Sequence, residues 1–358
     1  MAEAKAANGS GGNVQAGPAS GKDVSAEPGS FRCSRRYDLY TTTFKPAVRR
    51  SPACLVFHHG LSDHHARHAD VLCHLAASLG MPVYTYDAHG HGRSGPLDGP
   101  DGGYSDRALI RSFDHMVGDL LDFTRQVVVP AEQEAAAAAA AAASTSGRGG
   151  QDGLSDGGGH PAAQRKPQIF LMGYSMGGLT ACLAVAATSR PGGGGSDLYS
   201  GLMLTSCLSD ALYGDPWFVR AVKMAFATTL SYLAPALPFF GRNPVEAGIR
   251  DPAAVEEMAK DTLWYRGKFK TATVASLLWG CHRLAGQCNR LTLPVYAQHG
   301  TKDVACSLGS FRQLLSRLRS TDVTAVVEEG AFHDLHHDPK TPELLVHMTN
   351  WLKARVKG

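Results

Sequence analysis

Ser175 stands in the run Gly173-Tyr174-Ser175-Met176-Gly177-Gly178, one aliphatic hydroxyl crowded by three glycines. Between a strand and a helix this spacing makes a sharp elbow, tight enough that only glycines fit at the positions flanking it, with the serine Oγ thrust outward. A plain helix start with a capping serine would not call for the flanking glycines. A serine hydroxyl is a poor nucleophile near neutral pH, so a base must take its proton and a carboxylate must orient that base. Both are expected in loops after later strands, in the order Ser, Asp, His. Asp303 fits in the turn His299-Gly300-Thr301-Lys302-Asp303, and His333 fits in the turn Gly330-Ala331-Phe332-His333. Asp303 would otherwise serve as a turn residue or cap a helix starting near Ser307. His336 and His337 compete with His333 but begin the descent toward the last helix, and Asp322 precedes its strand and falls at the wrong edge. The oxyanion of an acyl transfer needs two preset N–H donors. Met176, directly after the nucleophile, should supply one, and Leu61, in His58-His59-Gly60-Leu61, the other. His58 and His59 have a plainer reading as loop histidines bonded to neighbouring turns.

Chemistry of this kind requires no cofactor, and other motifs do not call for one. Gly90-His91-Gly92-Arg93-Ser94-Gly95 matches G-x-G-x-x-G literally, but it runs into Pro96 and Gly99 instead of a helix, so it reads as a loop. Four glycines at 192–195 lack the Lys-Ser/Thr ending of a phosphate cradle. Histidines 58, 59, 64, 65 and 68 have no helical Glu or Cys pair beside them, so no metal is expected. Lys plus Arg exceed Asp plus Glu by only 35 to 32, too little for a nucleic-acid face. Eight cysteines without a C-x-x-C pair read as reduced thiols of an intracellular, cytoplasmic protein.

These side chains need a scaffold, and the hydropathy pattern supplies one. Segments 53–57, 82–86, 168–172, 201–205, 293–297 and 323–327 are short apolar runs, as expected for strands buried on both faces. Helical periodicity separates them at about 65–79, 107–129, 176–189, 307–319 and 341–355. The alternation predicts an α/β fold, a mostly parallel sheet flanked by helices, with Tyr37 to Phe44 as an antiparallel edge strand. Residues 30–206 and 291–358 form the two parts of this core, interrupted by a low-complexity insertion at 134–166 whose nine alanines extend the preceding helix. Residues 1–29 read as a disordered tail, and Glu3, Asp23 and Glu27 argue against a transit peptide. Residues 207–290 break the rhythm and read as a helical cap. Within it, Val219, Val222, Phe226, Leu230 and Leu233 form one apolar stripe after Asp215 and Pro216. The stripe is expected to roof the pocket, with Trp217 and Phe218 dipping into a lipid interface and giving reversible contact with membranes or lipid droplets. No run of 18 apolar residues predicts a membrane-spanning helix.

His59-Gly60-Leu61-Ser62-Asp63-His64 with Arg67, Asp87-Ala88-His89-Gly90-His91-Gly92-Arg93-Ser94-Gly95, the Ser175 elbow, His299 to Asp303 and Glu329 to His333 stand in an order that resembles the monoacylglycerol lipase and lysophospholipase group of the α/β-hydrolase superfamily. Arg250-Asp251-Pro252 and Asp261-Thr262-Leu263 are similar to its cap signatures, with Thr262 in place of a proline. The resemblance, over roughly residues 31–356, implies an α/β-hydrolase fold with the triad Ser175, Asp303 and His333. It also implies a redox-sensitive thiol at Cys306. The expected activity is cleavage of carboxylic esters of lipids, monoacylglycerol or lysophospholipid, through an acyl-serine intermediate. Two alternatives are an esterase on small aromatic or hydroxycinnamoyl esters and a slow-turnover hydrolase-fold ligand receptor. Leu61, Asp63 and the doubled His58-His59 depart from the group's pattern beside the oxyanion loop, which bears on substrate preference.

Overall fold

A computed structural model describes residues 23–94, 106–146, 166–190, 194–241 and 248–357. Its strands are β1 (Val24–Arg32), β2 (Asp38–Pro46), β3 (Ala53–His58), β4 (Val83–Tyr86), β5 (Gln168–Tyr174), β6 (Gly201–Thr205), β7 (Val295–Gly300) and β8 (Val323–Glu328). They form one eight-stranded sheet in the order β1-β2-β4-β3-β5-β6-β7-β8, parallel from β4 to β8 and antiparallel at β1 and β2. Every residue of β3, β4, β6 and β7 is buried, which is why these segments read as unbroken apolar runs.

The helices are α1 (Ala69–Leu79), α2 (Phe113–Phe123), α3 (Val129–Ser146), α4 (Met176–Ala187), α5 (Trp217–Leu233), α6 (Pro252–Lys260), α7 (Thr271–Gln287), α8 (Leu308–Arg317) and α9 (Thr341–Lys353). Val71, Leu72 and Leu75 of α1 share one core with Leu345, Met348 and Leu352 of α9. On the other face, Leu120 of α2, Leu183 of α4 and Phe311 of α8 form the second. After β3 the chain pairs first with β4 on one side and then with β5 on the other. That reversal opens a crevice at the carboxyl ends of β3 and β5, the place where parallel sheets hold ligands.

Three expectations change. Val24–Arg32 pairs along its length with β2, and its first six residues fall in the segment 1–29 read as a disordered tail. Phe31 is its one buried apolar side chain, so this edge strand is held by backbone hydrogen bonds that leave no hydropathy signal. Residues 1–22 of that tail lie outside the described residues, as does most of the 134–166 insertion beyond α3. Second, β8 alternates exposed and half-buried residues because it is the other edge, not a strand covered on both faces. Third, α7 lies within the segment read as the cap yet packs partly on the core: Cys281 and Leu284 join the cluster of α2 and α4.

Candidate active site

Ser175 joins β5 to α4 at φ +54° and ψ −117°, a conformation that side chains rarely adopt. From Ile169 to Ala186 every residue is buried except Ser175. The glycines are required by close approach: a Cβ on Gly177 would sit 2.1 Å from the His58 carbonyl oxygen, and one on Gly173 would sit 2.3 Å from the Gly177 carbonyl oxygen.

His333 lies in the loop after β8, with Nε2 2.9 Å from Ser175 Oγ and Nδ1 2.7 Å from Asp303 Oδ2. The carboxylate can only accept, so the imidazole proton sits on Nδ1 and leaves Nε2 free to receive the serine proton. Asp303, in the loop after β7, is itself oriented by the N–H groups of Ala305 and Cys306, each donating to Oδ1 at 2.8 Å. Burial disfavours charge on His333, yet the charge and hydrogen bond of Asp303, reinforced by Asp334 and Asp63, raise its pKa above the ordinary imidazole value. Burial likewise pushes Asp303 up, but the His333 charge and hydrogen bond win and hold it below the usual carboxylate range.

Leu61 and Met176 line the same cavity as Ser175 and His333. Met176 is the first residue of α4, where helix N–H groups lack partners within the helix. The other histidines are committed elsewhere. His58 ends β3 instead of lying in a loop, and burial lowers it to about 4 and His59 to about 3. His59 Nε2 accepts from the Ala88 N–H at 2.9 Å. His336 Nδ1 meets His68 Nδ1 at 2.8 Å, and His337 Nδ1 meets Asp334 at 2.9 Å, so neither reaches Ser175. Residues 87–94 form turns in which Asp87 accepts from the backbone of His65 and Arg93, as expected of a structural loop. Asp303, Cys306 and His333 bring one ligand atom each within 4.8 Å of one another. Two of these groups are bonded to each other, and burial holds the Cys306 thiol protonated, which disfavours both metal binding and oxidation.

A cavity of about 300 Å³ covers Ser175. Ile249, Met258, Trp264, Phe269, Val274, Leu277 and Leu278 form its far wall, residues that single-sequence periodicity did not mark as site residues. They reach it through contacts the motifs do encode: His64 Nε2 lies 2.6 Å from Asp261 Oδ2, Arg67 stacks over Trp264 at 4.9 Å, and Tyr265 N–H donates to the Ser62 carbonyl at 3.0 Å. Asp251 caps α6, and Arg250 pairs with Asp338 at 2.5 Å. The expected stripe on α5 does not line this cavity. Ala227 is the helix's buried residue and packs on Ala275 and Leu278 of α7, whereas Val222, Phe226 and Leu233 are 68%, 50% and 77% exposed.

Residues 49–147 and 160–340 match the family described as serine aminopeptidase, S33. The chain is 26% identical to monoglyceride lipase of Mus musculus over 321 residues, 89% of this chain and 88% of that protein. It is also 26% identical to caffeoylshikimate esterase of Arabidopsis thaliana, over 89% of this chain and 83% of that one. The crystal structure of Paleococcus ferrophilus monoacylglycerol lipase superposes with a TM-score of 0.64 at 21% identity, covering 88% of this chain and 99% of the other, a likeness of fold.

Proposed function

The chain belongs to the serine aminopeptidase S33 family, and from that premise we propose that it is a serine hydrolase of neutral lipid esters, monoacylglycerol foremost, with Ser175, His333 and Asp303 as its triad. Ser175 Oγ attacks the ester carbonyl as its proton passes to His333 Nε2. The N–H groups of Leu61 and Met176 receive the oxyanion, and His333 returns the proton to the leaving alcohol. Water, deprotonated by the same histidine, then releases the fatty acid from the acyl-serine. Asp303 keeps the imidazole oriented and stabilises its charged form.

The substrate reading rests on one observation: among the described residues, the cavity wall is apolar away from the triad and Asp334 and carries no Lys or Arg. Burying a phosphate there without a cation would be costly, so a neutral glycerol ester is favoured over a lysophospholipid. An aminopeptidase needs a carboxylate for the substrate ammonium. The one described carboxylate in the lining, Asp334, is 3% exposed and holds Arg67 and His337 at 2.9 Å each. The Arabidopsis relative supports a second reading, esterase activity on hydroxycinnamoyl esters. Turnover by the purified protein of monoacylglycerols, lysophospholipids, hydroxycinnamoyl esters and aminoacyl p-nitroanilides tests these readings together. Monoacylglycerol should give the highest kcat/KM, and preference for either of the last two would overturn the assignment. Tight binding with negligible turnover would point to a receptor instead.

The exposed face of α5 supports reversible contact with a lipid surface. Trp217 is 81% and Phe218 55% exposed, beside Val222 and Phe226. Among the described residues no helix is long and apolar enough to cross a membrane, so the contact we propose is peripheral.

A further inference from the structure

Ser206 follows β6 in a left-handed conformation, φ +47°, and is fully buried. A non-glycine residue rarely stays there unless its surroundings over-determine it. Its N–H donates to the Gln298 carbonyl at 2.9 Å, and its hydroxyl donates to the His333 carbonyl at 2.6 Å. The residues on either side grip the other half of the site. The Thr205 carbonyl accepts from Ser175 N–H at 2.9 Å, and Leu208 N–H donates to the Ser175 carbonyl at 3.0 Å. In the sheet, β6 and β7 separate β5, which leads into Ser175, from β8, whose following loop holds His333. The segment 205–208 is thus a strut between two loops 158 residues apart in sequence, and Ser206 is its end on the histidine side.

We propose that Ser206 is a positioning residue for His333: its hydroxyl, aimed by the left-handed turn after β6, pins the histidine's carbonyl and so keeps Nε2 in register with Ser175 Oγ. The proposal rests on the reading of Ser175 and His333 as nucleophile and base. A loosening of the His333 backbone is transmitted to the ring, and a displacement of about 1 Å between reacting groups can cost on the order of a hundredfold in rate. The fold should survive the loss of the hydroxyl, because the His333 carbonyl also accepts from Leu335 N–H at 3.1 Å.

The test compares Ser206→Ala, which keeps the strained backbone, with Ser206→Gly, which relieves it. In the full chain both should lower kcat on a short p-nitrophenyl ester by roughly ten- to a hundredfold at unchanged KM. Both should slow fluorophosphonate labelling and shift or broaden the downfield Nδ1 proton resonance of His333, with the thermal transition retained. Wild-type kcat in both variants would overturn the proposal. So would loss in Ala with full activity in Gly, which would make the strain and not the hydroxyl responsible, or a loss that merely tracks the unfolded fraction. Ser175→Ala, assayed in parallel, separates the two levels: if it still turns over, the nucleophile reading fails. If it is dead while both Ser206 variants are fully active, only the role of Ser206 fails.

Discussion

At the residue scale, the distances from Ser175 through His333 to Asp303 sort the competing side chains. Ser175→Ala should abolish both ester turnover and fluorophosphonate labelling, and persistent labelling would remove Ser175 as the nucleophile. His333→Ala should lower kcat by roughly 10⁴-fold or more, whereas His337→Ala, whose ring touches Asp334 and the Arg67 carbonyl, should cost less than about tenfold. A reversed ranking would transfer the base to His337. The pH profile follows from the sign of the His333 shift. The base works as neutral imidazole, and its pKa is raised, so the acid limb of kcat/KM should lie above that of an ordinary histidine, with activity falling as pH falls through it. Asp303→Asn removes the principal group that raises it, so the residual activity should show an acid limb at lower pH. An unmoved limb would mean that another group governs the profile. The motifs made Ser175, Asp303 and His333 legible because elbow, turn and order are written in short windows. Asp334 and Ser206 were not legible: one looks like a turn residue and the other like the end of a strand, and only their partners give them meaning.

At the element scale, α5 shows why an amphipathic pattern does not reveal which face is inward. A stripe of Val222, Phe226 and Leu233 reads as a core face, yet the contact with α7 centres on the small Ala227, with Met224 and Thr228 beside it. Ala227→Leu should therefore overpack that contact and destabilise the protein by about 1–3 kcal/mol, read in denaturant titration. A neutral result would mean that α5 adapts. The outward stripe has a different consequence. Replacing Trp217 and Phe218 with serine should weaken liposome binding and activity on dispersed monoacylglycerol while sparing a short soluble ester. Equal losses on both substrates, or undiminished liposome binding, would make α5 a structural helix only.

At the scale of the whole molecule, the interruptions of the chain test which parts the fold needs. Among the described side chains of α3 the last buried one is Glu132, held by Arg49 and by the Tyr84 hydroxyl at 2.8 Å, and the alanines beyond it are exposed or half-buried. Joining residue 134 to 166 should shift the thermal midpoint by only about 2–4 °C, the equivalent of some 1 kcal/mol, and loss of the transition would show that the insertion packs. What the sequence by itself determined was the central sheet, its flanking helices and the order of the three side chains proposed as nucleophile, acid and base. Buried parallel strands must be continuously apolar, and a strained elbow admits only glycines two residues either side of its serine, so both constraints act within a few residues of chain. Tertiary structure alone decided the rest: β1 at the edge, the outward face of α5, the apolar wall from 249 to 278, and the strut at Ser206. Each of these depends on a partner distant in sequence, and a backbone hydrogen bond or a choice of helix face leaves no trace in the local pattern of side chains.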